Sequence, residues 1–147
     1  MIVRDTAANG GHILTKPTQI PNELGKENQD YIKRAFIGYV NPPKKVIVYV
    51  LPTDAEDMTE ALTYLEGQAF DYLAGPPDIT TAECIEIVNW IKSQRNNGFT
   101  PKAVLPNTAA DSEAIINFTT SGINDGTDTY TAAEYCSRIA GLIAGTP

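Results

Sequence analysis

The stretch KKVIVYVL, residues 44–51, decides the fold. From Val46 to Leu51 it is an unbroken apolar run rich in β-branched residues, which reads as a strand buried on both faces. A strand with no face to give to water needs cover above and below, and the residues after it supply that cover. PTDAEDMTEALTYLEG (52–67) has Thr53 and Glu56 at capping-box spacing, Met58, Ala61, Leu62 and Leu65 on one helical stripe, and Gly67 at the stop. AFDYLAGPP (69–77) reads as a second strand ended by a Pro pair. TTAECIEIVNWIKSQRNNG (80–98) is the clearest helix: Thr80 and Glu83 form a capping box, Cys84, Ile87, Val88 and Ile91 form the stripe, and Gly98 marks the C-terminal stop. PKAVLP (101–106) is a third strand, and AIINFT (114–119) a fourth, reached without a helix between them. Alternating strands and helices predict an α/β fold with a mainly parallel sheet, helices on both its faces, and βαβ units in a single domain over residues 1–147.

Upstream, NELGKENQDYIKRAFIGYV (22–40) places Tyr31, Ile32, Ala35, Phe36 and Tyr39 on one helical face. MIVRDT (1–6) and GHILT (11–15) are short extended candidates separated by the turn signal Asn9-Gly10-Gly11. SGINDGTDTY (121–130) carries Asp125-Gly126 and reads as a hairpin tip.

The formal net charge is −7, and no basic cluster exceeds the pairs Lys33-Arg34 and Lys44-Lys45. Nucleic acid is therefore not an expected partner, because phosphate binding needs a basic stripe. No apolar run approaches the roughly 20 residues of a membrane span, so no membrane insertion is expected. Met1-Ile2-Val3-Arg4 leads at once into polar, Gly-rich sequence, which is not the pattern of a signal peptide. Cys84 and Cys136 both fall inside helical patterns and read as buried thiols in a reducing compartment. A disulfide between them is the lesser alternative.

Open parallel sheets bind ligands at the carboxyl ends of their strands. Three strand exits here carry an acid near a Pro: Asp54 in LPTD, Asp78 in GPPD and Asp111 in LPNTAAD. Three carboxylates on one sheet edge could hold Mg²⁺, so a small α/β enzyme or a metal- or ligand-binding domain is one reading. Against it, Asp54 and Asp78 stand at helix starts, where carboxylates favour the positive end of the helix dipole. The other constellations are missing. His12 is the one histidine, in a Gly-rich turn, and no G-x-S-x-G elbow supplies a nucleophile for it. No G-x-G-x-x-G follows a strand and no Walker A motif occurs, so no cofactor is expected. Cys84 lies in the first turn of its helix, where a thiol pKa can fall, yet its place on the apolar stripe argues for burial. Trp90 beside that stripe reads as core rim.

YTAAEYCSRIAGLIAGTP (130–147) is helical in pattern but built largely of Ala and Gly. Thr131 and Glu134 make a third capping box. Gly in a helix interior costs about 0.5–1 kcal/mol against Ala, so some close approach should compensate. Two readings stay open. The helix is laid tightly on its own sheet, or another subunit approaches it, with Ala133, Ala140, Gly141, Ala144 and Gly145 as the contact residues.

EIVNWIKSQRNNGFTPKAVLPNTAADSEAIINFTTSGI (86–123) followed by TYTAAEYCSRIAGLIAGTP (129–147) resembles the central domain of tail sheath proteins, those of contractile-tailed phages, defective prophages and phage-like bacteriocins of Gram-positive bacteria. ANGGHILTKPTQIP (8–21), YIKRAFIGYVNPPKKVIVYVL (31–51) and FDYLAGPPDITTAE (70–83) fit the same family in the same order. The resemblance implies a subtilisin-like sheath core with no catalytic residues. It also implies a structural subunit that stacks in rings around a tail tube, contacts tube and baseplate proteins, and contracts to drive the tube into the host envelope. Such a protein is assembled in the host cytoplasm and resides in the virion tail. Family members carry extended arms that add strands to neighbouring subunits. This chain, ending at Gly145-Thr146-Pro147, reads as a core fragment lacking those arms, expected to be monomeric or weakly associated alone.

Overall fold

The computed structural model describes residues 1–38 and 41–145. Tyr39, expected on the first helical face, lies outside the described residues, as do Thr146 and Pro147. The strands are β1 (Ile2–Arg4), β2 (Gly10–Leu14), β3 (Val46–Leu51), β4 (Tyr72–Ala74), β5 (Lys102–Pro106), β6 (Ile115–Phe118), β7 (Ile123–Asn124) and β8 (Thr129–Tyr130). The helices are α1 (Lys26–Ala35), α2 (Thr59–Glu66), α3 (Thr81–Asn96) and α4 (Ala132–Ala144), with a short 3-10 turn at Pro17–Gln19.

All six residues of β3 are buried. It is the middle strand of a three-stranded sheet ordered β1-β3-β2. β1 runs parallel to it with Ile2 opposite Tyr49, and β2 antiparallel with Gly10 opposite Val50 and Leu14 opposite Val46. A second three-stranded sheet, ordered β4-β5-β6, is parallel throughout. The expected mainly parallel arrangement is corrected in two respects. β2 runs against the rest, and the strands form two ladders, because β1 and β4 are each only three residues long and no ladder joins their facing edges among the described residues. The ladders still act as one layer. Ile47, Tyr49 and Leu51 share a core with Leu73, Ala103 and Leu105 on one side, while Val46, Val48 and Val50 share a core with Ala74 and Val104 on the other. This is the period-2 alternation of a strand covered on both faces.

α2 and α3 cover the first side. Their stripes, Ala61, Leu62 and Leu65 on α2 and Cys84, Ile87, Val88 and Ile91 on α3, are buried as the spacing predicts. The Thr80–Glu83 capping box forms on α3. The Thr53–Glu56 box does not. Residues 53–58 are turn and bend, and α2 starts after an N-cap Met58 that makes no side-chain cap bond. Other carboxylates satisfy the free amides there: Asp57 Oδ1 accepts the Thr59 N–H at 3.0 Å, and Glu86 Oε1, reaching across from α3, accepts the Met58 N–H at 3.0 Å.

α1 and α4 cover the second side. Tyr31, Ile32 and Ala35 of α1 are buried together with Phe36, and the Tyr31 hydroxyl donates to the Gly75 carbonyl at 2.6 Å just past the end of β4. α4 begins with its expected Thr131–Glu134 capping box. β5 and β6 are parallel neighbours joined by an irregular segment, held where the Asn117 side chain accepts the Thr108 N–H at 2.8 Å. β7 and β8 form the expected hairpin around Asp125–Asp128.

Candidate functional site

The strand carboxyl ends come first, since ligand sites of α/β folds lie there. Arg4, at the end of β1, reaches Asp78 beyond β4 at 3.1 Å and also pairs closely with Glu83 in the first turn of α3. Its side chain is 16% exposed. Glu83 uses its other oxygen, Oε1, in the Thr80 capping box. Asp5, the residue just after β1, accepts the amides of Thr6 and Gly25, each at 2.8 Å, and the Asn28 side chain at 3.0 Å, which ties the start of α1 to the sheet. Burial would raise its carboxyl, but the bonds from Gly25, Asn28, Ala7 and Thr6 outweigh burial and hold it below the usual carboxylate range. The charged side chains at this end of the strands are thus paired with one another, with Asp78 still 65% exposed.

The three acids singled out from sequence are not brought together. Asp54 is exposed in the turn after β3, Asp78 is paired with Arg4, and Asp111 is exposed on the β5–β6 connection. Among the described residues no group of three or more His, Cys, Asp and Glu side chains is placed to hold a metal ion. His12 sits on edge strand β2 with Nε2 2.7 Å from the Ala8 carbonyl. Both cysteines are free and buried, and burial pushes the Cys136 thiol up to about 12, far from the reactive thiolate. Tyr49 is likewise raised to about 12, by its hydrogen bond to Glu60 and then by burial.

The Ala/Gly face of α4 finds its neighbour inside the chain. A Cβ at Gly141 would lie 1.9 Å from the Ala35 carbonyl oxygen of α1, and one at Gly145 would lie 2.1 Å from the Asn41 carbonyl oxygen. Ala140 is buried, and Ser137 Oγ donates to the Tyr31 carbonyl at 2.7 Å. Arg34 of α1 donates through Nε and Nη2 to the Glu134 carbonyl and lies 4.6 Å over the Tyr130 ring. Of the two readings of this face, the intramolecular approach is seen at Gly141 and Gly145, whose missing side chains admit the backbone of α1 and of residue 41, while Ala140 is buried. Ala133 is half-buried and Ala144 exposed.

At the other end of the strands, where β1, β3 and β4 begin, a groove of about 940 Å³ opens between the two sheets. Met1, Ile47, Leu73, Ala140 and Ala144 line it, and Lys44 and Lys45 stand at its edge. Burial pulls the Met1 amine down to about 5, and it donates to the Ile47 carbonyl at 2.5 Å. The groove runs on into a second hollow of about 740 Å³, where Phe70 stacks on Trp90 at 6.3 Å and Phe99 is 58% exposed. Sequence reasoning missed Arg4, Arg34 and this groove. Their roles come from partners 74 to 100 residues away, which no local spacing encodes. Among the described residues no helix is long and apolar enough to cross a membrane.

No protein-family model matches the chain. The tail sheath protein of Clostridium phage phiCD119 is 42% identical to it in an alignment of 140 residues that covers 91% of this chain and 38% of that protein. The chain thus spans well under half the length of this relative. The resemblance of this chain to phage tail sheath proteins is shown by this similarity.

Proposed function

We propose that this chain is the core of a structural subunit of a contractile phage-type tail sheath. In this reading, residues 1–147 form one subtilisin-like core domain of a longer protein. Copies assemble with one another around a tail tube above a baseplate, within the host cytoplasm, and their contraction drives the tube into the host envelope. The observation that carries the reading is the 42% identity to a tail sheath protein over 140 residues. A structural role is supported further by the charge pairs at the strand carboxyl ends, where Arg4 binds Asp78 and Glu83. The Cys136 thiol, pushed up to about 12, is buried in a packing position.

A domain exchange tests it. The matching stretch of the phiCD119 sheath gene is replaced by this chain in a phage carrying that gene. Electron microscopy should find sheathed tails that contract. Chimeric protein that is soluble and folded but leaves only bare tubes would overturn the reading.

A further inference from the structure

Two Asn-Gly pairs and one Asp-Gly pair stand in the chain: Asn9-Gly10, Asn97-Gly98 and Asp125-Gly126. Such pairs share a spontaneous reaction, one reason asparagine counts among the thermolabile residues. The glycine nitrogen attacks the side-chain carbonyl carbon before it and closes a five-membered imide. Glycine has no Cβ to hinder the approach, and its freedom in φ lets the chain take up the ring geometry. In sequence the two asparagines are equivalent. In the fold they are not.

Asn9 is tied. Its Nδ2 donates to the Asp5 carbonyl at 2.9 Å, and Gly10 is the first residue of β2, in register with Val50 of β3. Closing the ring there means breaking the side-chain bond and lifting the end of a ladder. Asp125 is tied more firmly. Its carboxylate accepts the amides of Thr127 at 2.9 Å and Asp128 at 2.8 Å, and the Gly126 N–H donates to Asn124 Oδ1 at 2.7 Å. The attacking nitrogen and the group it would attack are both engaged.

Asn97 differs from both. It is the exposed C-cap of α3, and its side chain makes no hydrogen bond among the described residues. Gly98 has φ +90°, and a Cβ there would meet nothing within 4 Å, so the space around the pair is open. The restraint is in the main chain. The Gly98 N–H donates to the Arg95 carbonyl at 3.1 Å and the Phe99 N–H to the Gln94 carbonyl at 3.0 Å, the closure of a Schellman motif. These bonds belong to a helix end, the part of a helix that opens most readily.

We infer that Asn97-Gly98 is a self-modification site at which the folded chain ages. The Gly98 nitrogen bonds to Asn97 Cγ, its proton passes through solvent to the departing amide group, and ammonia leaves. Water then opens the imide at either carbonyl, which leaves aspartate or isoaspartate at position 97. Both products add one negative charge to the net −7. The isoaspartate also lengthens the main chain by one atom, which pulls the Gly98 and Phe99 amides off the Arg95 and Gln94 carbonyls. The last turn of α3 then loosens, and with it Arg95, which reaches Glu113 on the β5–β6 connection at 3.7 Å.

Incubation of the purified chain at mildly alkaline pH, followed by peptide mapping, tests this. In the folded chain, position 97 should convert at least about tenfold faster than position 9, since a fraying helix end opens at little cost and a ladder shared with β3 opens at much of the global cost. In guanidinium chloride the two should convert at similar rates. Hydrogen exchange of the converted chain should speed up at Gly98 and Phe99 and stay unchanged along β2. Asn97→Gln should remove the fast product and leave the chain folded, because glutamine closes its ring far more slowly. Equal conversion at positions 9 and 97 of the folded chain, or none at either, would overturn the proposal. The reaction needs only water and is independent of the sheath reading, so the domain exchange and the peptide map can fail separately.

Discussion

Against one face of the β layer, α2 and α3 set Leu62, Leu65, Ile87 and Ile91; against the other, α4 sets Ala140 and a glycine whose Cα lies against the α1 backbone. The first face is sealed by filling space. The second is sealed by removing side chain, so that Ser137 can reach the Tyr31 carbonyl and Arg34 the Glu134 carbonyl. A filled face tolerates no loss of volume, and a close backbone approach tolerates no gain. The same size of substitution should therefore act with opposite sense on the two sides.

The largest effect is expected at Gly141. Gly141→Leu must part α4 from α1, because the obstacle is the Ala35 carbonyl and not a side chain that can swing away. A loss of about 4 kcal/mol or more should follow, read as collapse of the thermal unfolding transition. If Gly141→Leu melts near wild type, the close approach is not what holds the second face. Next comes Ile91→Ala on α3, fully buried in the first core, with an expected loss of about 2–5 kcal/mol in urea unfolding. Ser137→Ala removes a buried hydroxyl and its bond to the Tyr31 carbonyl, which should cost about 0.5–1.5 kcal/mol. A loss below a few tenths would mean that packing alone sets the second face. Thr80→Ala and Thr131→Ala remove one capping box from each face and should each cost about 1 kcal/mol, a matched pair that calibrates the comparison.

The smallest effect is in acid. The Asp5 carboxyl titrates lower in the folded chain than in the unfolded one. The unfolded state therefore takes up protons first as pH falls. Its stabilisation of the α1 start is complete above the ordinary carboxylate range and is lost as pH drops through the lowered value. Urea midpoints measured from about pH 5 down to about pH 2 should fall, and less steeply for Asp5→Asn. Equal slopes would remove Asp5 from the account.

Much of the first face could be read locally. Thr80 and Glu83 stand three apart and cap the helix that follows, and Cys84, Ile87, Val88 and Ile91 keep one stripe. Thr53 and Glu56 carry the same spacing but no helix, because the α2 start is held by Asp57 and by Glu86 of another helix. A capping box is a local signal, and a distant carboxylate can replace it. β1 and β2 were legible as extended segments but not as the two flanks of β3, since strand order depends on partners more than thirty residues away. The Ala and Gly of α4 signalled close approach correctly. They could not say whether α1 or another subunit makes it, because a missing side chain carries no information about its neighbour. The three strand-exit acids were visible as residue types, while Arg4, which claims Asp78, appeared only once β1 and β4 were set side by side.

The bond from Ser137 to Tyr31 spans 106 residues and that from Arg34 to Glu134 spans 100. Such long closures are slow to find, and during synthesis they cannot form until the later partner has left the ribosome. Leu62, Leu65, Ile87 and Ile91 can collapse onto β3 to β5 while translation continues. Tyr31, Ile32 and Phe36 must wait, uncovered on their outer side, for the last helix to arrive. During that interval the nascent chain carries a sticky helix beside a half-finished sheet. Chaperone capture and misassembly between neighbouring nascent chains would be concentrated at α1, and the arrival of α4 is the step that ends the exposure.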